Sequence, residues 1–241
     1  NYILARFNRM ELAPDVYNSE RTSGLYPHFP ESTFGALSAW AWGYHRCVDV
    51  LEKMACVDAS QITITGHSRG GKTVLLAGAT DERIALTCPN NSGAGGAGCF
   101  RSQGPESEAI ADLIKAIPYW FGPELRKYVG CENELPFDQH FLKALVAPRA
   151  LLTTEALGDL WSNPTGTWQT HLAAKEVYRF LGAEKNIGIT FREGGHEHNV
   201  TDWRVLLDFA DMHFRGRKPT NQFDQSPFND MSPCFSWQAP I

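Results

Sequence analysis

The pentapeptide Gly66-His-Ser-Arg-Gly70 constrains the fold of this chain more than any other feature of its sequence. Before it, the β-branched run 62–65 (Ile-Thr-Ile-Thr) predicts a buried strand. After it, the apolar run 74–77 (Val-Leu-Leu-Ala) predicts a packed helix. A Gly-x-Ser-x-Gly motif between a strand and a helix is typical of the nucleophile elbow of the α/β-hydrolase fold.

The elbow gives Ser68 a specific chemical task. The tight turn strains the serine backbone, and Gly66 and Gly70 are expected to keep Cβ atoms away where backbone segments crowd. The helix that follows points its amide groups and its positive dipole end at the serine oxygen. The sequence therefore predicts Ser68 as a nucleophile, followed along the chain by an acid and then a histidine.

Strands and helices alternate along the rest of the chain, which predicts a mainly parallel sheet with helices on both faces. Besides the elbow, strands are predicted over 2–7, 84–88, 149–154 and 187–191. Helices are predicted over 34–55, 106–121 with an interruption at Pro118, 141–146, 167–181 and 203–214. Residues 1–241 are interpreted as one domain ending in a polar, Pro-rich surface tail over 215–241. Because the chain starts with Asn1 and a strand-like run, we expect the first strands of the sheet to be missing from it.

Composition excludes several classes of function. The chain has 241 residues, 43% hydrophobic and 20% charged, which suits one domain with a substantial core. The net charge of −5 argues against nucleic acid or an anionic membrane as a partner. No apolar run approaches the roughly 18 residues of a membrane span.

No metal or cofactor is expected either. The six cysteines form no C-x-x-C pair, which argues against a structural zinc site, and disulfides and free thiols both remain open. The Gly-rich segment 90–98 contains neither of the two common phosphate-binding glycine motifs, so it is interpreted as a loop close to the serine.

The expected base lies in the Gly-rich loop after the last predicted strand. This loop contains two histidines, His196 and His198, at the place where the fold puts its catalytic base. Residues two apart in such a loop are expected to point in opposite directions, so only one of them can face Ser68. The residues alone do not decide which.

The expected acid lies on a loop after an intervening strand. Asp159 and Glu155 both satisfy this condition, and Asp159 is preferred, whereas Asp202 is close to the histidines in sequence. The acid would accept the imidazole N–H and fix its tautomer.

Several further motifs give the chain a resemblance to a known family. It resembles the glucuronoyl esterases of carbohydrate esterase family 15, the bacterial branch more than the fungal one. The resemblance extends from Tyr2 to about Arg217, and its motifs are the runs 66–72, 89–96, 99–101, 135–140, 147–149, 159–161 and 195–198.

The resemblance implies a role for each matching residue. It implies that Ser68 is the nucleophile and that His198, rather than His196, is the base. It implies that Arg69 serves the oxyanion through its backbone N–H and its guanidinium group. The implied sugar contacts are Lys72, Trp161 and, as a further candidate, Glu106.

The sequence departs from the fungal pattern at two places. Asn91 stands where fungal members have a glutamate as the triad acid, and Asp159 stands where some bacterial members place theirs. His67 and Asn199 stand where fungal members have a disulfide beside the nucleophile and the base.

The resemblance implies a serine esterase that cleaves the ester between 4-O-methyl-glucuronic acid side chains of glucuronoxylan and lignin alcohols. The positive charges of Lys72 and Arg69 suit this reaction, because negative charge develops in its transition state. A different carbohydrate esterase, such as an acetyl xylan esterase, is the alternative. An inactive sugar-binding module is a second one, suggested by Asn91. A monomeric, secreted or periplasmic enzyme is expected.

Overall fold

Four parallel strands form a sheet in which spatial order follows chain order, β1-β2-β3-β4. The computed structural model describes residues 2–17, 20–229 and 231–240. The strands are β1 (Thr63–His67), β2 (Leu86–Asn90), β3 (Ala150–Ala156) and β4 (Ile187–Arg192). Every residue of β2 and β3 is buried, as expected for central strands of a parallel sheet.

Six α-helices connect and cover these strands. They are α1 (Ala36–Leu51), α2 (Arg69–Thr80), α3 (Ile110–Ala116), α4 (His140–Val146), α5 (Pro164–Phe180) and α6 (Val200–Arg215). Neighbouring residues of β3 show that both faces of the sheet are covered. Leu151 packs with residues of α2, α4 and α5, whereas Leu152 packs with residues of α6. The predicted α/β-hydrolase architecture, with a parallel sheet between two helical layers, is thereby confirmed.

The prediction of a strand over 2–7 is wrong. This segment pairs with no strand among the described residues, and Ile3 and Leu4 are 62% and 72% exposed. A β-branched or apolar run forms a strand only when another strand lies beside it, and the segment 2–7 contacts helices instead. Tyr2 bonds to Asp211 of α6, and Phe7 packs edge-on against Tyr44 of α1.

The predicted helix over 106–121 is also shorter than expected. Helix α3 covers only Ile110–Ala116, and a separate 3₁₀ turn covers Pro118–Trp120. Pro118 disfavours helical geometry in the residue before it, and Ile117 has φ −142° and ψ 51°. This break brings Trp120 towards the start of α2, where its ring lies beside Arg69.

The segment 215–241 packs against the domain at several points. The backbone N–H of Ile189 donates to the Phe223 carbonyl at 2.7 Å, and Asp224 lies 3.2 Å from His171. The Cys234 backbone N–H donates to the Gln169 carbonyl at 3.2 Å. Positions 230 and 241 of the predicted tail lie outside the described residues.

No helix in the described part of the chain has both the length and the apolar character required to span a bilayer.

Candidate active site

Ser68 occupies the predicted strained turn between β1 and α2. Its backbone has φ 57° and ψ −123°, a conformation that non-glycine residues rarely adopt. A Cβ at Gly66 would lie 2.5 Å from the Gly70 carbonyl oxygen, so this glycine is required. The expectation for Gly70 is wrong, because a Cβ there would meet no described atom within 4 Å. The second close approach is at Gly71, whose Cβ would lie 2.8 Å from Ser92 Cβ.

Ser68, His196 and Asp159 form a continuous chain of hydrogen-bonding contacts. His196 Nε2 lies 2.9 Å from Ser68 Oγ, and His196 Nδ1 lies 2.6 Å from Asp159 Oδ2. Ser162 donates its hydroxyl to the same carboxylate oxygen at 2.6 Å. The three principal groups follow β1, β4 and β3, so the carboxyl ends of the parallel strands bring them together.

His198 does not contact Ser68, which corrects the role that the resemblance implied for it. Its ring stacks between His67, at 5.7 Å between centroids, and Trp203, at 5.0 Å. Burial lowers the pKa of the His198 imidazole. Only one histidine of the pair contacts the serine, and it is His196 rather than His198. Alternation in an extended chain does not account for this, because it places residues two apart on the same side.

Asp159, rather than the other candidate acids, contacts the imidazole. The Asp159 side chain is 4% exposed, whereas that of His196 is 44% exposed. Asp202 is engaged elsewhere, because it accepts from Arg192 Nε and from the Asn199 backbone N–H, both at 2.9 Å. A buried carboxylate that holds an exposed imidazole can fix its tautomer and stabilise its protonated form.

Glu155 lies deeper in the protein and serves no such purpose in this structure. Its side chain is fully buried at the end of β3, and no hydrogen bond links it to His196 within the described residues. Burial raises the pKa of Glu155 to about 8, against the opposing charge of Lys143. Burial of Lys143 in turn lowers the pKa of its ammonium group to about 7.

Asn91, which replaces the fungal acid, connects two loops of the site. Its Oδ1 accepts from the Ala156 backbone N–H at 3.0 Å, and its Nδ2 donates to the Gly195 carbonyl at 3.3 Å. Asn91 therefore holds the end of β3 against the loop that carries His196. The position thus has a structural task once Asp159 supplies the carboxylate.

Lys72 is buried beside the elbow, with 4% of its side chain exposed. Its Nζ lies 2.6 Å from Glu108 Oε2, and it also donates to the Ala94 carbonyl. Burial lowers the pKa of Lys72, while the nearby Glu108 carboxylate opposes this effect. An ammonium group has three N–H donors, so one is left over from the two protein contacts seen among the described residues.

The carboxylate that contacts Lys72 is Glu108, whereas Glu106 is the residue that the resemblance offered as a further sugar contact. Glu106 is exposed, with a positive φ of 64°, and it has no contact with Lys72 among the described residues. Glu108 was missed because residues 106–121 were predicted as a helix. Only its place two residues after Glu106 pointed towards it.

Trp161 lies next to this pair on the 3₁₀ turn Leu160–Ser162 that follows Asp159. Its backbone carbonyl accepts from the Glu108 N–H at 3.0 Å, while the residue is 50% exposed. The backbone hydrogen bond keeps Trp161 close to Glu108 in the fold, and an exposed indole is suited to packing on a sugar ring.

Arg69, the first residue of α2, directs its guanidinium towards two groups that the sequence did not reveal. Its Nη1 lies 2.6 Å from Asp15 Oδ2, and its Cζ lies 4.9 Å from the centre of the Trp120 ring. Asp15 was not among the predicted site residues. No group of three or more metal-ligating side chains occurs in the described part of the chain.

A nucleophile-elbow serine that contacts an imidazole, which in turn contacts a buried carboxylate, is the arrangement of serine hydrolases with the α/β-hydrolase fold. The order along the chain, serine, acid and histidine, is also that of this fold. A family model described as glucuronyl esterase, fungi, matches residues 1–182. The chain belongs to this family of glucuronyl esterases, which confirms the resemblance identified in its sequence.

Individual relatives support this assignment. The chain is 39% identical over 201 residues to 4-O-methyl-glucuronoyl methylesterase 1 of Phanerochaete chrysosporium, covering 80% of this chain and 42% of the relative. It matches the structure of a carbohydrate esterase family 15 glucuronoyl esterase from Caldicellulosiruptor kristjansonii with a TM-score of 0.91 and 37% identity. That match covers 97% of this chain and 65% of the other.

A third match carries a ligand. It is the glucuronoyl esterase of Sporotrichum thermophile in complex with methyl 4-O-methyl-β-D-glucopyranuronate, with a TM-score of 0.81 and 29% identity. The match covers 92% of this chain and 64% of that structure. The chain spans less than half the length of the first curated relatives that it matches, at 45% and 42%.

Proposed function

We propose that this chain is the catalytic core of a glucuronoyl esterase. Its substrate would be the ester between a 4-O-methyl-glucuronic acid side chain of glucuronoxylan and a lignin alcohol. The observation that carries the proposal is the contact of His196 with both Ser68 and Asp159. Family membership supports the acid part of this substrate, because relatives are named 4-O-methyl-glucuronoyl methylesterases and one was solved with methyl 4-O-methyl-β-D-glucopyranuronate.

The proposed reaction has two steps. Ser68 Oγ forms a bond to the ester carbonyl carbon while its proton passes to His196 Nε2. The tetrahedral oxyanion then collapses, the bond to the alcohol oxygen breaks, and His196 returns the proton to the leaving alcohol. Water repeats the sequence on the acyl-enzyme and releases glucuronic acid. Asp159 stays ionised and stabilises the imidazolium at each stage.

The recognition of the sugar is proposed to fall to Lys72, Glu108 and Trp161. Lys72 has one remaining N–H donor, and Glu108 has carboxylate oxygens that can accept from ring hydroxyls. Trp161 offers an exposed apolar face next to them. Glu108 takes the place in this proposal that Glu106 had in the sequence-based one.

Because the proposed substrate is a polymer outside the cell, we also propose that the enzyme is exported. We propose separately that it acts as a monomer. Detection of the protein in the cell-free medium or periplasmic fraction, with a mass near 26.9 kDa for the chain by light scattering, is the expected result. Retention in the cytoplasmic fraction would overturn the proposed export, and a mass twice as large would overturn the monomer.

The test of the proposed function is the hydrolysis of benzyl D-glucuronate, with an acetylated xylooligosaccharide as the comparison ester. We expect turnover of the glucuronate ester and little turnover of the acetyl ester, with neither hydrolysed by Ser68→Ala. Turnover of the acetyl ester alone would replace the proposal with an acetyl xylan esterase. Binding of glucuronoxylan with no hydrolysis of either ester would favour the sugar-binding module.

A further inference from the structure

Asp15 holds four hydrogen-bond donors although no sequence motif marks it. Its Oδ2 accepts from Arg69 Nη1 at 2.6 Å and from Arg9 Nη2 at 3.3 Å. Its Oδ1 accepts from Trp120 Nε1 at 2.8 Å and from the Tyr119 hydroxyl at 3.3 Å. Only 6% of the Asp15 side chain is exposed.

These donors come from three separate parts of the chain, and they leave the carboxylate little freedom to move. Burial by itself would raise the pKa of Asp15, but the hydrogen bonds from Arg69 and Trp120 hold it below its ordinary value. The group is therefore ionised at neutral pH. A buried carboxylate of this kind is a fixed point of negative charge against which an arginine can be oriented.

Arg69 is the donor of the four that adjoins the candidate nucleophile along the chain. It directly follows Ser68 in the chain, and 45% of its side chain is exposed. Its Nη1 is bound to Asp15, while Nε and Nη2 make no hydrogen bond to any other described residue. The Trp120 ring covers one side of the guanidinium at 4.9 Å.

An arginine without such partners would serve an oxyanion poorly. Its long side chain has many rotamers, and this rotamer entropy is lost each time the guanidinium has to be brought into place. Donors that are already oriented avoid this cost in the transition state, where their electrostatic effect is largest. Because the Asp15 carboxylate binds Nη1, the other N–H groups of Arg69 remain for the oxyanion.

We propose that Asp15 is a positioning residue that holds the Arg69 guanidinium, against Trp120, in the orientation in which it stabilises the oxyanion formed at Ser68. The inference rests on the proposed function only in that Ser68 must be a nucleophile and Arg69 an oxyanion donor. It does not depend on which ester is the natural substrate.

The competing explanation is that Asp15 merely joins the N-terminal segment to the turn that carries Trp120. A double-mutant cycle separates the two, because a positioning role needs Arg69 and a structural role does not. Asp15→Asn keeps the shape and one carbonyl oxygen, and Arg69→Met removes the guanidinium while keeping an apolar stem. Asp49→Asn is the matched control, since Asp49 of α1 is likewise a carboxylate paired with two arginines, Arg46 and Arg83.

The readout is the rate at which a fluorophosphonate labels Ser68, measured beside kcat and KM for benzyl D-glucuronate. In labelling, the Ser68 Oγ–P bond forms, the P–F bond breaks, and the hydroxyl proton passes to His196 while the phosphonyl oxygen gains negative charge. The labelling rate thus reports oxyanion stabilisation even if the sugar ester is not the substrate, so the two proposals can fail separately.

We expect Asp15→Asn to lower kcat and the labelling rate by about 10- to 100-fold with little change in KM. In the Arg69→Met background the same substitution should cost less than about threefold more, since the interaction is already absent. Asp49→Asn should change neither rate. Equal losses in both backgrounds, or no loss in either, would overturn the proposal.

A second variant covers the case in which Asp15→Asn does not fold, as judged by circular dichroism and thermal unfolding. Asp15→Glu keeps the charge but moves the carboxylate by one methylene. A displacement near 1 Å in a positioning group can cost about 100-fold in rate. We expect at least a tenfold loss in labelling for this variant, again only when Arg69 is present, and an unchanged rate would contradict the inference.

Discussion

The two sides of Ser68 are built in opposite ways. One side, which we call the triad side, consists of His196 and Asp159, and its reacting imidazole is 44% exposed on a loop. The other, which we call the cleft side, consists of Lys72, Glu108 and Trp161, and its two charged side chains are 4% and 9% exposed. The group that must accept and return protons is accessible, whereas the charges proposed to recognise the sugar are fixed in the interior.

The difference teaches how chemistry and recognition can be separated around one serine. A proton-transferring imidazole must reach solvent water during deacylation, so its exposure suits its task. A buried ion pair is costly to form, and it discriminates strongly because any partner group left unpaired there is penalised. The triad side should therefore act on every ester, and the cleft side only on esters that carry the sugar acid.

Apart from replacement of the base itself, the largest effect is expected on the triad side, from Asp159→Asn. The amide leaves the geometry in place but cannot stabilise the imidazolium, so kcat should fall by about 10³- to 10⁴-fold for the glucuronate and for a simple aryl ester alike. Initial rates with both esters check this. Glu82→Gln, a carboxylate-to-amide change on an exposed residue, is the control. Strong activity retained in Asp159→Asn would return Glu155 to consideration.

A smaller and selective effect is expected on the cleft side, from Lys72→Met. Loss of a hydrogen bond to a charged group costs about 1.5–3 kcal/mol, which corresponds to about a 10- to 100-fold loss in kcat/KM for benzyl D-glucuronate. The aryl acetate should change by less than about threefold.

Lys72→Met also leaves Glu108 without its partner, so Lys72→Met/Glu108→Gln should be measured beside it. Lys115→Met, on an exposed residue of α3, is the matched control. Equal losses for both esters would mean that Lys72 supports the elbow itself, and the separation of the two sides would then be lost.

The smallest effect concerns acid stability, and it tests whether the buried charge of Asp15 also stabilises the fold. The pKa of Asp15 is lower in the folded chain than its ordinary value of about 3.9. Its contribution is thus complete above that value and is lost as pH falls through the folded pKa. The difference in Tm between the wild type and Asp15→Asn should be constant near neutral pH and shrink below about pH 4. A difference that grows on acidification would contradict this.

Much of the fold could be predicted because local patterns and tertiary structure agree there. The elbow strand, its helix and the later strands have β-branched or apolar runs that the parallel sheet buries. The segment 2–7 has the same local character but no strand beside it, so the pattern alone was misleading. Whether a run pairs depends on the rest of the sheet, which its own residues do not encode.

The site could be predicted as a set of residue types but not as a set of contacts. Ser68 and Asp159 follow from motif and order along the chain. The choice of His196 over His198 depends on which ring the loop turns towards the serine: the His196 ring contacts Asp159, whereas the His198 ring stacks on Trp203. Glu108 and Asp15 were missed because each is defined by a partner distant in sequence, Lys72 and Arg69 respectively.

The identity of the base is the central claim, and a comparison of His196→Gln with His198→Gln tests it most directly. Both substitutions replace an imidazole by an amide in the same loop, so each controls for the other. The measurement is kcat/KM for benzyl D-glucuronate. We predict a loss of at least about 10⁴-fold for His196→Gln and of less than about tenfold for His198→Gln. The reverse order would contradict the account and would restore His198 as the base.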